Sequence, residues 1–529
     1  MSGILAEKYK NGNLSEILKE YKNHRAIASR TLEEEKLTPL ADYQLAHKWT
    51  SIEEKDGKST INNNPILEQD GQKFVKEIVP GKTITGYKLY KNAVLLGTNI
   101  YRNILTPVYM KREDRTRHHY MIGKSGTWKS VFLQTMARQD LWNGDGICLI
   151  DPHGDLAEDV LSFVPKERAK DVVYFDAGNE DRPMGLNLYE INTLDEADRT
   201  VNDATEIFLK MFGPEIFGPR IQDYFRNGCL LLMDQPEGGT IVDIMRLFTD
   251  DAFAEAKIRN LKDPVVAAWW NKTYKRMGDR EKAEIIPFIQ AKFWPFTTGV
   301  YVRNIIGQPK SAFKMYDAMQ QKKIILMNLA KGIAGEETSK LIGKIIAMQV
   351  KLSALKRAKI DEKDRVPHYL YVDEFQNYVS QSFESILSEA RKYKVGLVVA
   401  HQYTDQLKQE GLGGNMDLSK TIFGNIGNMF VFKVGAPDAE FLTKEFEPEF
   451  NQTDLTSTAA FMGACKVSVN NQQTRPFSFE AKVLYPGFPD GLPYANSPEK
   501  VQIIKQISSL KRWTKRELVD REIYFRVGV

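Results

Sequence analysis

The chain is 529 residues long, 42% apolar and 27% charged, which excludes a disordered, collagen-like or coiled-coil polypeptide and leaves room for three or four domains. Seventy-three Lys and Arg stand against 69 Asp and Glu, a formal net charge of +4, so charge alone names no partner and any basic surface must be local. Cys148, Cys229 and Cys465 are far apart and form no CxxC pair, which argues against a disulfide framework or a Cys-rich zinc site and fits a reducing compartment.

The first 35 residues show helical spacing, with Leu14, Ile17, Leu18 and Tyr21 on one face. They are charged and carry no apolar core of a secretory signal. No run of about 18 apolar residues is present, so the expectation is a cytoplasmic chain with no transmembrane segment of its own. Residues 51–72 are rich in Lys, Asn, Gly and Asp and read as a linker, and 82–100 alternate like a strand. Residues 1–90 carry no interpretable motif.

From residue 118 the texture changes. The strand His119–Ile122 is followed by a glycine-containing turn and the helical run VFLQTMARQDLW, then by the strand GICLID and a third strand at Val172–Phe175. This alternation predicts a parallel α/β sheet. Between about 194 and 320 the strands disappear, and helical periodicity with Trp269, Trp270 and Trp294 predicts an inserted all-helical domain. Strands return at 322–330, 368–375, 396–402 and 429–435, and residues 464–483 alternate on both sides of Asn470-Asn471 as a hairpin. Ser497-Pro498-Glu499 starts a helical tail in which eight Lys and Arg oppose four Asp and Glu, a local charge of +4 equal to that of the whole chain. The expected division is 1–90, an N-terminal region; 91–193 and 321–485, the two parts of one α/β core; 194–320, the helical insertion; and 486–529, the basic tail.

Gly123-Lys124-Ser125-Gly126-Thr127-Trp128-Lys129-Ser130 fits the phosphate-loop pattern GxxxxGK[ST] at every fixed position but one. In that pattern backbone N–H groups wrap a β-phosphate, Lys129 neutralises β/γ oxygens and Ser130 Oγ ligates Mg²⁺, while the following helix turns its positive end to the anion. A strand leads in and a helix leads out, as the pattern requires. Trp128 stands where the pattern has glycine, at a backbone position that passes close to the phosphates and calls for φ > 0. Four readings stand side by side: the ring points outward and is tolerated; it abolishes nucleotide binding; it is an artefact of sequence or engineering; or it is a decoding error. Gly (GGG) and Trp (TGG) codons differ by one base, and genetic codes differ over whether TGA is Trp or Gly.

The apolar strand Tyr369–Val372 ends in Asp373-Glu374, a Walker B arrangement when paired with a phosphate loop. Asp373 would hold the Mg²⁺ shell, and Glu374 would orient or deprotonate the attacking water. The neighbouring strand ends in His401-Gln402, where Gln402 can sense a γ-phosphate or simply cap the next turn. Arg391 closes the helix between these strands and is either an arginine finger toward a neighbouring subunit or a solvated helix-end cation. Asp151-Pro152-His153-Gly154-Asp155 offers few metal ligands and reads as a turn lining the cleft.

These motifs, in this order, resemble the FtsK–HerA class of P-loop motors, and most closely the coupling-protein ATPases of type IV secretion and conjugative DNA transfer. The resemblance rests on RHHYMIGKSGTWKS, GICLIDPHGDL, GPRIQDYFRN, NIIGQPKS, KKIILMNLAKGIAGEE, YLYVDEFQNY, RKYKVGLVVAHQ and NIGNMFVFKVGAPDAEFL, and it covers about residues 95–450. SSLKRWTKRELVDREI resembles a C-terminal segment of some members. The resemblance implies a RecA-like P-loop NTPase core with a parallel central sheet and ATP with Mg²⁺ as cofactors. It implies a homo-oligomeric ring, usually of six, with ATP sites at subunit interfaces and DNA pumped through the channel. Lys129 and Ser130 become the Walker A residues, Asp373 and Glu374 Walker B, Gln402 the sensor and Arg391 the trans finger. A relaxase or other secretion-system components are further partners, and these would bring the chain to the inner face of the membrane. Two departures are plain: Trp128, and the absence of the N-terminal membrane helices that many coupling proteins carry. A nucleotide-binding-deficient recruiting subunit and an ATPase for protein export or pilus assembly are the competing functions.

Overall fold

The computed structural model describes residues 93–528, apart from 102–103, 192, 412–413, 418, 471 and 482–497. The expected N-terminal helix, the 51–72 linker, most of the 82–100 strand and Ser497 lie outside those residues.

An eleven-stranded sheet organises the described residues. Its strands are β1 (Ala93–Tyr101), β2 (Ile104–Lys111), β3 (His119–Ile122), β4 (Gly146–Asp151), β5 (Val172–Asp176), β6 (Ile324–Asn328), β7 (His368–Val372), β8 (Val395–His401), β11 (Asn428–Val431), β12 (Met462–Lys466) and β15 (Phe477–Glu480). β9 (Lys408–Gly411) pairs with β10 (Gly414–Asp417), and β13 (Ser468–Val469) with β14 (Gln472–Gln473), as separate ribbons. The order across the large sheet is β2-β1-β15-β12-β11-β3-β8-β7-β4-β6-β5. The seven strands from β11 to β5 are all parallel, and the four on the other side are antiparallel. The predicted parallel α/β core is thus observed. The predicted hairpin exists as β12 and β15, and it extends the main sheet.

Strand β2 went unread in the sequence. Pro107 within it is unsuited to a central strand, but β2 is the sheet edge, where a missing N–H costs no ladder bond.

Parallel strands covered on both faces are apolar throughout. Tyr120, Ile122, Cys148 and Ile150 belong to one core, while Met121, Ile147 and Leu149 of the same strands belong to the other. The second core receives α1 (Lys129–Trp142) and α2 (Asp155–Leu161). The first is continuous with the helical insertion, which comprises α3 (Ala197–Phe212), α4 (Pro219–Met233), α5 (Ile241–Thr249), α6 (Asp251–Arg259), α7 (Pro264–Ala268), α8 (Asp279–Thr298), α9 (Val300–Ile306) and α10 (Met315–Gln320). Local chemistry starts these helices. Pro219 and Pro264 sit in the first turn of α4 and α7, and Thr240 with Asp243 forms a capping box on α5. Phe208, Phe217, Phe225 and Phe293 pack ring on ring inside the insertion, and Trp270 is fully buried against Phe248 and Tyr274. Trp294, in contrast, is exposed.

After β6 come α11 (Lys331–Ala334) and α12 (Glu336–Lys356), then α13 (Gln381–Glu389) between β7 and β8, α14 (Ser419–Asn425), α15 (Ala436–Phe446) and α16 (Gln452–Ser457). The tail forms α17 (Pro498–Arg512) and α18 (Arg516–Val527). α17 lies on the core, where Ser508 Oγ accepts from the Tyr174 N–H at 2.8 Å and Arg512 donates to the Val172 carbonyl at 3.0 Å. α18 lies on the insertion, where Arg526 pairs with Asp243 at 2.9 Å and Asp520 with Arg303 at 3.5 Å. Two further tail cations pair with acids of the core, Lys505 with Glu158 and Arg516 with Glu180.

Candidate nucleotide site

The parallel strands end their C-terminal edges together, so the loops that follow β3, β4, β7 and β8 converge on one cleft. This is where ligands sit in open α/β sheets. A cavity of about 280 Å³ opens there, lined by Ser125, Gly126, Thr127, Trp128, Lys129, Ser130, Val131, Glu374 and Gln402. The sequence had placed eight of these nine residues in one site, from one loop and two strand ends.

The loop is braced from below. Lys124 N–H donates to the Lys433 carbonyl at 2.8 Å, and Thr127 Oγ1 donates to the Lys124 carbonyl at 2.6 Å. Gly123 has no room for a side chain: a Cβ would stand 2.6 Å from Thr127 Oγ1 and 2.8 Å from Phe432 Cβ. Gly126 has φ +75°, and Trp128 has φ 73° and ψ 20°, the left-handed conformation that glycine adopts freely. At Trp128 this conformation costs about 1–2 kcal/mol. Its indole is turned onto Phe461, ring centroids 4.0 Å apart and 20° from parallel, so it forms one wall of the cleft. Helix α1 begins at Lys129 with no side-chain cap on its first N–H groups, which leaves an anion-binding helix end facing the loop.

Lys129 is buried and folded back, its Nζ donating to the Gly123 carbonyl at 2.6 Å and the Lys124 carbonyl at 3.0 Å. Burial lowers its pKa, and the charges of Asp373 and Glu374 oppose that shift. Ser130 Oγ donates to Asp373 Oδ2 at 3.0 Å. Burial, reinforced by the nearby charges of Asp151 and Glu374, pushes the Asp373 carboxyl up to about 6, against the Ser130 hydrogen bond. Glu374 sits at φ 47° and is held on both oxygens: Gln402 Nε2 donates to Oε1 at 2.7 Å and Gln376 Nε2 to Oε2 at 2.5 Å. Gln402 reaches Glu374 because β8 and β7 are adjacent, parallel strands.

Arg391 is elsewhere. It precedes β8, at the opposite end of the strands from the phosphate loop, beside Arg117 and His118 at the start of β3. His401 is fully buried, and burial lowers it to about 3. As a neutral ring it donates from Nδ1 to the Tyr403 carbonyl at 3.1 Å and accepts at Nε2 from the Tyr120 hydroxyl at 2.6 Å, a structural role.

Asp151 opens the turn that the sequence placed at the cleft: it accepts the N–H groups of His153 at 2.9 Å and Ala157 at 3.0 Å, fixing the turn after β4, and its charge reaches Asp373. Two features escaped the sequence reading. Gln376 is one; its amide had no pattern to mark it. The second lies beneath the site. Arg115 is bidentate to Asp140 of α1 at 2.7 and 2.9 Å, and the Tyr371 hydroxyl of β7 donates to the same carboxylate at 2.5 Å. All three are buried, and they tie the phosphate-loop helix to the strand that carries Asp373.

The residues fit a nucleotide triphosphate and a divalent cation. The loop is shaped for phosphate, and the paired Ser130 hydroxyl and Asp373 carboxylate are hard oxygen donors of the kind Mg²⁺ takes in small number. Among the described residues no group of three or more His, Cys, Asp or Glu forms a self-sufficient metal cage.

No family model matches the sequence, and no curated protein does. Solved structures do. The unbound bacterial conjugative coupling protein TrwB, lacking its first 70 residues, superposes with a TM-score of 0.52 at 15% identity, over 83% of this chain and 99% of that one. This is the fold of TrwB. The plasmid coupling protein TrwB bound to a non-hydrolysable ATP analogue superposes at 0.53 with 14% identity, over 83% and 98% of the two chains, and TrwB has also been solved with ADP and Mg²⁺. VirB4 of Thermoanaerobacter pseudethanolicus superposes at 0.47 with 12% identity over 74% of this chain and 97% of that one. No helix among the described residues is long and apolar enough to cross a membrane.

Proposed function

We propose that the chain is an ATP-driven motor of the coupling-protein kind, moving DNA in a conjugation or type IV secretion system. The observation that carries this reading is the paired arrangement at the strand ends: Ser130 on Asp373, and Glu374 held by Gln402. Phosphoryl transfer needs positioning and charge neutralisation above all. When bound, Mg²⁺ supplies neutralisation of phosphate charge, with Ser130 and Asp373 as its protein ligands. Lys129 releases the loop carbonyls and turns to phosphate oxygen. Glu374, fixed by two amides, orients a water and takes its proton, and Gln402 is the group that registers whether a phosphate stands in front of it.

Arg391 is remote from its own chain's cleft, so its proposed role as a finger is on a neighbouring protomer's nucleotide, in a ring with sites between subunits; six is the number proposed. The TrwB fold and the nucleotides bound to TrwB support ATP and Mg²⁺ as cofactors. Relaxase and secretion-system components at the inner face of the membrane are the proposed partners.

A second reading is favoured by one observation. A β-carbon at a left-handed position of the loop, bearing an indole that walls the cleft, describes a recruiting subunit that binds no nucleotide. Fluorescent-ATP titration and DNA-stimulated hydrolysis, measured on this chain and on Trp128→Gly, separate the two. ATP binding and DNA-stimulated turnover by the chain with Trp128 in place support the motor. Binding and turnover confined to the glycine form assign the Trp128 chain to the second reading. No hydrolysis in either form, with single- or double-stranded DNA, overturns the motor.

A further inference from the structure

The phosphate cleft has two unlike ends. Glu374 and Gln402 mark the end where a γ-phosphate belongs, and the loop and Lys129 mark the middle. Trp128 and Val131 complete the lining. The Trp128 indole lies nearly flat on Phe461, at 4.0 Å and 20°. Near-parallel stacking also occurs inside the helical insertion, at Phe225–Phe293 and Phe248–Trp270, but those rings are buried in a core, whereas this pair is half-buried beside the cleft, and nucleobases meet aromatic rings by the same face-on contact. The indole is a fused two-ring system of about the outline of a purine.

Phe461 is held in place for such a role. Its φ is 65°, a left-handed value that a bulky residue adopts only where its surroundings enforce it. Its carbonyl accepts the Ala481 N–H at 2.8 Å, and it leads directly into β12 of the main sheet, two strands from β3. Both Phe461 and Trp128 are half-buried, and neither belongs to the two cores described above. A strained, rigidly mounted aromatic face outside the cores, beside a phosphate cleft, is a platform.

We propose that Phe461 is the base-stacking shelf of the nucleotide site and that the Trp128 indole occupies it in the absence of nucleotide. The proposal rests on the nucleotide reading above and deepens it. The shelf recognises the π-face of a base, so it accepts adenine and guanine alike, and with Trp128 present a nucleotide must displace the indole first.

The test compares ATP, GTP and inorganic tripolyphosphate binding by calorimetry in four forms: the chain itself, Trp128→Gly, Trp128→Gly with Phe461→Ala, and Trp128→Gly with Phe461→Tyr. Loss of one base-stacking contact is expected to weaken ATP and GTP by about 5- to 150-fold in the Ala form. Tripolyphosphate affinity should stay within about twofold, and the Tyr form should restore ATP binding. The chain itself should bind tripolyphosphate more nearly like Trp128→Gly than it binds ATP. If Phe461→Ala weakens tripolyphosphate and ATP equally, or weakens neither, the shelf is wrong. If Trp128→Gly binds neither ATP nor tripolyphosphate, the nucleotide reading itself has failed, a result distinct from loss of the shelf.

Discussion

Asp373 is the residue at which function and stability oppose each other most directly. Its carboxyl is buried, faces Asp151 and Glu374, and is pushed up from 3.8 to about 6. A shift of that size corresponds to about 3 kcal/mol set against the ionised form. The sign follows from proton binding. Between pH 4 and 6 the folded chain holds a proton here that the unfolded chain has lost, so stability falls as pH rises through this window and levels off above it. Replacing Asp373 by Asn keeps an acceptor for Ser130 and removes the charge. Asp373→Asn should therefore leave stability nearly unchanged at pH 4 and raise it at pH 8 by an amount approaching 3 kcal/mol. It should also remove the Mg²⁺ dependence of nucleotide binding, because a metal ligand is gone. In the parent chain, Mg²⁺-dependent binding should weaken by about tenfold per pH unit below 6 as the carboxylate is protonated. Urea unfolding of both forms at pH 5, 6, 7 and 8 reads the first effect, and nucleotide titration with and without Mg²⁺ reads the second. An Asn variant that is destabilised equally at every pH would refute the burial argument, because it would show that the ionised carboxylate is well accommodated.

The other predictions concern neighbours of that residue. Glu374→Gln should bind nucleotide normally and lose about 10²–10⁴-fold in turnover, while Gln402→Ala should lose less, since Gln376 still holds one oxygen of Glu374; single-turnover hydrolysis distinguishes them. Arg115→Ala leaves the Asp140 carboxylate buried without its cation and should cost about 3–5 kcal/mol, read by urea unfolding, with Arg115→Lys recovering only part because it cannot pair in bidentate fashion.

What could be read in the sequence was what is written in consecutive residues. β3, β4, β7 and β8 are buried on both faces, so each appears as an unbroken apolar run, and the chemistry lies at the residues where those runs stop. Ser130 and Asp373 are separated by 243 positions yet could be paired in advance, because each carries its own local pattern. The clamp of Arg115, Asp140 and Tyr371 has no such signature. Its members look like ordinary polar residues of three separate elements until the fold closes them together. On the antiparallel side of the sheet only β2 was concealed, because it carries a proline and does not stand out from a loop, while β12 and β15 fall within the alternating 464–483 segment. The tail's charge excess is a fact of composition, and what its cations touch is not: Lys511 donates to the Lys170 carbonyl, Arg512 to that of Val172, and Arg516 and Arg526 pair with Glu180 and Asp243.

The two tail helices also set a length. α17 is fastened to the sheet and α18 to the insertion, and only Trp513, Thr514 and Lys515 run between them. Three residues stretched to their limit reach about 10 Å. While both helices remain seated, the anchor points on the core and on the insertion can draw apart by no more than that leash permits. Any working stroke that swings the insertion farther must first lift one helix from its bed, which would place the release of the tail inside the mechanical cycle.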